Sequence, residues 1–213
     1  MAKKNLRNGK LGVIIPCLNE ALNIDSLITE ISKISKKNRI EIYPIIIDDG
    51  STDDTYQKSL NCLKREFDEG FNLQSFIRNF GKESAILAGL KQSKSTGCAC
   101  TALIDADFQD NPQTLLLMYE KWQSGHQLIS CIREKRYKAD PFLKTLTSNL
   151  FYLVFEKSSK FRFKRGIGDF RLMDNTVVNY ILQIPERIRF FKGLIEWVGV
   201  ETVSYTHLTL PTK

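Results

Sequence analysis

The sequence predicts an α/β protein built on a doubly wound, mostly parallel sheet flanked by helices, and three observations carry that expectation. Between Leu11 and Ile132, short apolar runs alternate with longer segments of helical spacing. Several of the runs are continuously apolar, the pattern of strands buried on both faces. The best-defined runs also end in polar clusters, and in such sheets ligands sit beyond the carboxyl ends of the strands. A chain of 213 residues with 42% hydrophobic content is long enough for one well-buried domain, expected over residues 1–202.

The first strand is the run Leu11 to Pro16, ended by its proline. Asn19 then reads as the cap of an amphipathic helix, with Leu22, Leu27, Ile28, Ile31 and Ile34 near helical spacing. A second strand, Ile42 to Ile47, runs into Asp48-Asp49-Gly50-Ser51-Thr52, a sharp turn. Asp53-Asp54-Thr55 leads a helix to about Phe67, and Asn72 to Ile77 reads as a third strand. Lys82 to Lys94 is helical, with Ile86, Leu87 and Leu90 on one side. Cys100 to Ile104 is a short strand that delivers Asp105 and Asp107 at its carboxyl end. A helix over Thr114 to Gln123 and a strand over Gln127 to Ile132 follow.

Beyond Ile132 the composition shifts. Arg133 to Lys138 is a basic loop, and Phe142 to Phe155 carries an apolar stripe of Leu143, Leu146, Leu150 and Val154. That stripe fits a core helix first and a membrane-surface helix second. Lys157 to Arg165 holds five basic residues interleaved with Phe161 and Phe163, a solvated loop or an anion-facing segment. Amphipathic helices are expected to complete the C-terminal part.

A formal charge of +7 favours anionic partners without choosing among nucleic acid, a nucleotide diphosphate and an anionic leaflet. The five cysteines are odd in number and scattered, as in a reduced cytosolic protein. The apolar run after Lys3, Lys4, Arg7 and Lys10 is too short for a signal-peptide core. No run of 18 apolar residues occurs. The segment Val203 to Lys213 breaks the preceding pattern and matches one reading frame of a transposase sequencing adapter. It is expected to be non-native, with His207 and Pro211 carrying no meaning.

The chemistry is concentrated in two acidic segments. Asp105, Asp107 and Gln109 place oxygen donors at alternate positions, which converge on a hard cation such as Mg²⁺ or Mn²⁺ only where the chain leaves a regular strand; Asp110 and Pro112 supply that turn. A bare acidic turn capping the next helix is the plainer alternative. Asp48 and Asp49 can accept hydrogen bonds from a base N–H or ribose hydroxyls, with Gly50 permitting close backbone approach. Asp53 and Thr55 read better as helix caps.

In order and spacing, V-I-I-P-C-L-N-E, D-D-G-S-T-D-D-T, R-N-F-G-K-E-S-A-I-L-A-G-L and D-A-D-F-Q-D-N-P resemble glycosyltransferase family 2, of the GT-A fold. Gly168 to Met173 and Pro185 to Gly199 resemble its polyprenyl-phosphate branch, the bactoprenol type more closely than the dolichol-phosphate mannose synthases. The resemblance spans Gly12 to Thr202. It implies that Pro16, Asn19 and Glu20 line the nucleotide and that Asp48 or Asp49 meets base or ribose. Asp105, Asp107 and Gln109 would hold metal and diphosphate, and Arg133 would contact phosphate. Lys82 stands where the family approaches the nucleotide, or is a solvated residue at a helix start. Asp169 and Arg171 would face the sugar and acceptor. Ser148 aligns loosely with an acceptor-phosphate residue, and Arg189 and Lys192 either bind lipid phosphate or are surface charge. Family members continue into membrane-spanning helices after the W-V-G segment.

The implied activity is inverting transfer of a hexose, UDP-glucose being the favoured donor, to polyprenyl (undecaprenyl) phosphate at the cytosolic membrane face. A phosphate monoester is already anionic near neutral pH, so the shortage of histidine is no objection. A family 2 enzyme with a polysaccharide or soluble acceptor is the alternative. A nucleic-acid-binding module fits the charge, but acidic strand ends would repel that ligand, and no nucleic-acid partner is expected. Homo-oligomerisation is left open.

Overall fold

A computed structural model of the chain describes residues 7–68, 70–133, 167–185 and 191–207. The apolar stripe of 142–155, the basic segment 157–165, Ser148 and Arg189 lie outside the described residues, as do the side chains of Arg133 and Lys192.

In chain order the elements are β1 (Leu11–Cys17), α1 (Ile24–Asn38), β2 (Ile42–Asp48), α2 (Thr55–Phe67), β3 (Asn72–Ser75), α3 (Lys82–Ser95), β4 (Cys100–Leu103), α4 (Thr114–Gln123), β5 (Leu128–Arg133), β6 (Ile167–Asp174), α5 (Asn175–Gln183), α6 (Phe191–Val198) and β7 (Thr202–His207). Seven strands form one sheet in the order β3-β2-β1-β4-β6-β5-β7. β1 pairs in parallel with β2 and β4, and β2 with β3. Among the described strands β6 alone is antiparallel, inserted between β4 and β5.

The continuous apolar runs are strands covered on both sides. Leu11, Val13 and Ile15 of β1 face one core with Leu27, Ile28 and Ile31 of α1, Cys62 and Leu63 of α2, and Leu115 and Trp122 of α4. Ile14 faces the other, with Ile45 and Ile47 of β2, Ile86 and Leu90 of α3, Val177 and Ile181 of α5, and Ile195 of α6. The resulting three layers leave the ends of the sheet as the places where polar groups can gather. Among the described residues no helix is long and apolar enough to cross a membrane.

Three local expectations shift. α1 begins at Ile24, because Asn19 adopts a left-handed φ of 57° and its side chain accepts from Thr52 instead of capping α1. β3 stops at Ser75, although Phe76 N still donates to Asp48 O at 2.9 Å. The segment opening with Gly168-Asp169-Phe170 is a long central strand, an element that periodicity did not announce. The run Thr202–His207 pairs in parallel with β5. A β-branched and aromatic run pairs readily with an open sheet edge.

Candidate active site

Parallel packing of β1, β2 and β4 brings their carboxyl ends to one edge of the sheet, and a cavity of about 280 Å³ opens there. It is lined by Pro16, Cys17, Leu18 and Glu20 after β1, by Asp49 after β2, by Asn79, Gly81 and Lys82 at the start of α3, and by Asp105, Ala106 and Asp107 after β4. Six of the residues singled out in the sequence, Pro16, Glu20, Asp49, Lys82, Asp105 and Asp107, therefore share one cavity. Asn79, Gly81 and Cys17 were not singled out. R-N-F-G-K was the available signal for the first two, but nothing local distinguishes a cavity-lining asparagine from a turn residue.

The loops are held by one another. Thr52 N donates to Asn19 Oδ1 at 2.9 Å, Asn19 N to Ser51 Oγ at 2.9 Å, and Glu20 N to Thr55 Oγ1 at 2.8 Å. Ala21 N donates to Asp53 Oδ2, and Thr55 N to Asp53 Oδ1. Asn19 thus works as a clasp between the loops after β1 and β2 and does not itself line the cavity. Asp53 is not the N-cap of α2, which is Asp54 without a side-chain bond; its carboxylate instead ties Ala21 to Thr55.

The two neighbouring aspartates divide the work. Asp48 is 2% exposed and accepts from Ser51 N, Ser51 Oγ and Ser75 Oγ, so its carboxylate is turned into the sheet end and away from the cavity. Asp49 Oδ1 accepts from Phe80 N at 2.7 Å and its Oδ2 from Gly81 N at 2.9 Å. Asp49 thereby pins the loop that leads into α3 while remaining at the cavity wall. Gly50 makes this turn possible. Its φ is +75°, and a Cβ there would lie 2.5 Å from the carbonyl carbon of Arg78.

After β4 the chain leaves the strand as expected, with Phe108 in the left-handed region at φ 58°. Asp105 and Asp107 reach the cavity. Gln109 is exposed and does not line it, and its backbone N–H donates to Asp107 Oδ1. Among the described residues no group of three His, Cys, Asp or Glu side chains is arranged to hold a metal by itself.

Asp169 arrives from β6. Because β6 is antiparallel to β4, with Leu103 registered on Arg171, its first residues come level with the loop after β4. Lys82 Nζ lies 2.7 Å from Asp105 Oδ1 and 2.7 Å from Asp169 Oδ2. Burial works against the Lys82 ammonium, but hydrogen bonds to both carboxylates outweigh it and hold its pKa above the ordinary value. Burial pushes the Asp105 carboxyl up; Lys82 opposes that rise, while the charges of Asp169 and Asp107 add to it. Arg171, two residues along the same strand, is 2% exposed and donates from Nε to Gly168 O; it does not line the cavity. Burial, with the nearby Asp48 and Glu20 charges, also raises the Cys17 thiol and favours its neutral form.

Acidic loops collected over the carboxyl ends of a doubly wound sheet define an α/β protein with a candidate ligand site at that edge. The family model of glycosyl transferase family 2 matches residues 12–181, and the chain belongs to that family. Its fold is GT-A. The chain is 34% identical over 190 residues to an uncharacterized glycosyltransferase of Synechocystis sp., covering 89% of this chain and 58% of the relative. It is 36% identical over 193 residues to the bactoprenol glucosyl transferase of Shigella phage SfX, covering 91% of this chain and 61% of the relative. The chain thus spans about three-fifths of the length of these curated relatives. Among solved structures, a mannosyltransferase from Pyrobaculum calidifontis in complex with GDP-Man and Mn²⁺ superposes with a TM-score of 0.65 at 15% identity, covering 98% of this chain and 58% of that one.

Proposed function

We propose that this protein transfers a hexose from a nucleotide-sugar donor, UDP-glucose first among them, to a polyprenyl phosphate such as undecaprenyl phosphate, at the cytosolic face of a membrane. The observation that carries the reading is the single cavity shared by Glu20, Asp49, Lys82, Asp105 and Asp107 at the carboxyl ends of β1, β2 and β4. The lipid acceptor and the glucosyl group are supported by the name of the phage relative and by the likeness of its sequence over most of this chain.

The cavity fits a divalent cation by its charge. Among the described residues lining it, four carboxylates face one ammonium, a balance that repels a bare diphosphate. Two carboxylates, Asp105 and Asp107, are also the share that a protein commonly contributes to Mg²⁺, substrate phosphates and water completing the shell. Either Mg²⁺ or Mn²⁺ fits; the Mn²⁺ of the Pyrobaculum structure favours the second. Asp105 and Asp107 would hold the cation, which would supply positive charge against the negative charge of the departing nucleoside diphosphate.

The chain's own residues then orient. Asp49 holds the loop at Asn79 and Gly81 against the donor, at the N-terminal end of α3, whose dipole favours phosphate. Asp169 stands beside Asp105 to position the sugar or the attacking acceptor. An acceptor phosphate oxygen displaces the nucleoside diphosphate at the anomeric carbon in one inverting step. Most of the acceleration comes from alignment and charge stabilisation, since the nucleophile is already anionic. By resemblance Arg133 is assigned to a phosphate, and Ser148, Arg189 and Lys192 to the acceptor phosphate; Arg171 stays within β6, where its Nε donates to Gly168 O.

The test is a donor panel of UDP-glucose, GDP-mannose and UDP-N-acetylhexosamines, each offered with undecaprenyl phosphate in detergent or with a soluble saccharide, with and without Mg²⁺ or Mn²⁺. Metal-dependent entry of glucose label into the organic phase is expected. Label passing only to the soluble saccharide would overturn the lipid acceptor. Salt-dependent oligonucleotide binding without nucleotide-sugar binding would overturn the whole reading.

A further inference from the structure

Lys82 is the one basic side chain among the described residues lining the cavity, and it faces more negative charge than it can pair. Its ammonium sits 2.7 Å from each of two carboxylates on different strands, Asp105 beyond β4 and Asp169 at the start of β6. The antiparallel register sets those carboxylates level: Leu103 opposite Arg171 leaves Asp105 two residues beyond on one strand and Asp169 two residues before on the other. Without a cation between them, Asp105 and Asp169 would repel across a partly buried gap. Resting on the nucleotide and metal reading given above, we propose that Lys82 is a resident cation that stands in for the divalent ion: it neutralises Asp105 and Asp169 in the unloaded protein, yields Asp105 when the metal arrives with a diphosphate, and turns its freed N–H to that diphosphate.

Three properties make the exchange physically reasonable. The Lys82 side chain is 42% exposed, so the ammonium can swing on its four-carbon stem without repacking the core. Asp105 cannot serve the ammonium and a metal equally, because each cation lowers the affinity of the shared carboxylate for the other. The incoming diphosphate replaces the partner that Lys82 loses. Metal alone must therefore displace Lys82 without compensation, whereas metal with diphosphate does not, and by linkage metal and nucleotide strengthen each other's binding. The same bridge keeps Asp169 in place while the donor side fills, so a donor complex forms beside an already positioned acceptor-side carboxylate.

The experiment measures Mn²⁺ binding, by the electron paramagnetic resonance signal of free aqua-Mn²⁺ and by calorimetry, on the full 213-residue chain without nucleotide and with UDP or GDP. Wild type, K82M, K82Q and K82R are compared, with thermal melting of each to confirm folding. K82M and K82Q are expected to bind Mn²⁺ alone about tenfold more tightly than wild type, from removal of one neighbouring positive charge. The strengthening of Mn²⁺ binding by UDP or GDP should shrink in both, and K82R should resemble wild type on both counts. Unchanged or weaker binding of Mn²⁺ alone by folded K82M or K82Q overturns the resident-cation proposal and leaves the donor-site reading standing. Failure of the wild type to bind Mn²⁺ even with UDP or GDP overturns both.

Discussion

The individual residues of the cavity divide into those that face a ligand and those that hold the others in place. Asp107 is of the first kind: it lines the cavity, and its backbone neighbours turn away through the left-handed Phe108. Asp107→Ala is expected to abolish metal-dependent transfer while leaving the melting temperature close to wild type, measured by lipid-extractable sugar label and by calorimetry. Undiminished transfer would refute its role. Gly50 is of the second kind. With φ at +75° and the Arg78 backbone 2.5 Å from where a Cβ would stand, Gly50→Ala should destabilise the fold by about 1–3 kcal/mol. Because this turn presents Asp49, the same substitution should weaken binding of UDP or GDP, read by calorimetry.

At the scale of elements, α1 and α2 lie side by side on one face of the sheet and are joined at their polar edges by Glu66. It accepts from Lys36 Nζ at 3.0 Å, Ser32 Oγ at 2.9 Å and Arg65 Nε at 3.1 Å. Those hydrogen bonds, that of Lys36 foremost, draw the Glu66 pKa down from its ordinary 4.5 to about 2. A carboxyl whose pKa is lower in the folded than in the unfolded chain stabilises fully above the unfolded value and loses that contribution as pH falls through the folded one. The melting-temperature gap between wild type and Glu66→Gln is therefore expected to be steady above pH 4.5, to narrow as pH falls toward 2, and to close below it. A gap independent of pH would refute the assignment. The gap itself should be small, since pairs this close to solvent contribute up to about 1 kcal/mol.

For the molecule as a whole, Asp174 ties distant parts of the chain together. It ends β6, accepts from Thr176 N as the N-cap of α5, receives Trp122 Nε1 of α4 at 2.8 Å, and pairs with Arg7 at 3.2 Å. Burial works to raise its pKa, but the hydrogen bonds from Thr176 and Trp122, with the Arg7 charge, keep it below the ordinary value. Asp174→Ala is expected to lower stability by about 2–4 kcal/mol in denaturant unfolding, from loss of the cap and an unpartnered indole N–H. A change under 1 kcal/mol, about the size of an exposed ion pair alone, would show that the cap and the indole contact contribute little.

The sequence by itself determined the parallel half of the sheet and the acidic strand ends. Continuous apolar runs such as Leu11 to Pro16 and Ile42 to Ile47 can be satisfied only by burial on both faces, and that requirement is local and readable. It also determined that Asp49, Asp105 and Asp107 share an edge, because parallel strands separated by helices end on the same side. Asn19 misled because capping chemistry is the same whether an asparagine serves its own helix or a neighbouring loop; only the fold brings Thr52 to it. The partition between Asp48, turned into the sheet, and Asp49, left at the cavity, was likewise invisible, since adjacent residues of like chemistry differ only in the face they present. Tertiary structure alone decided the place of Asp169. It lies 64 residues beyond Asp105 in the chain, on a strand whose direction no local pattern announces, and only the antiparallel insertion of β6 beside β4 sets the two carboxylates on either side of the Lys82 ammonium.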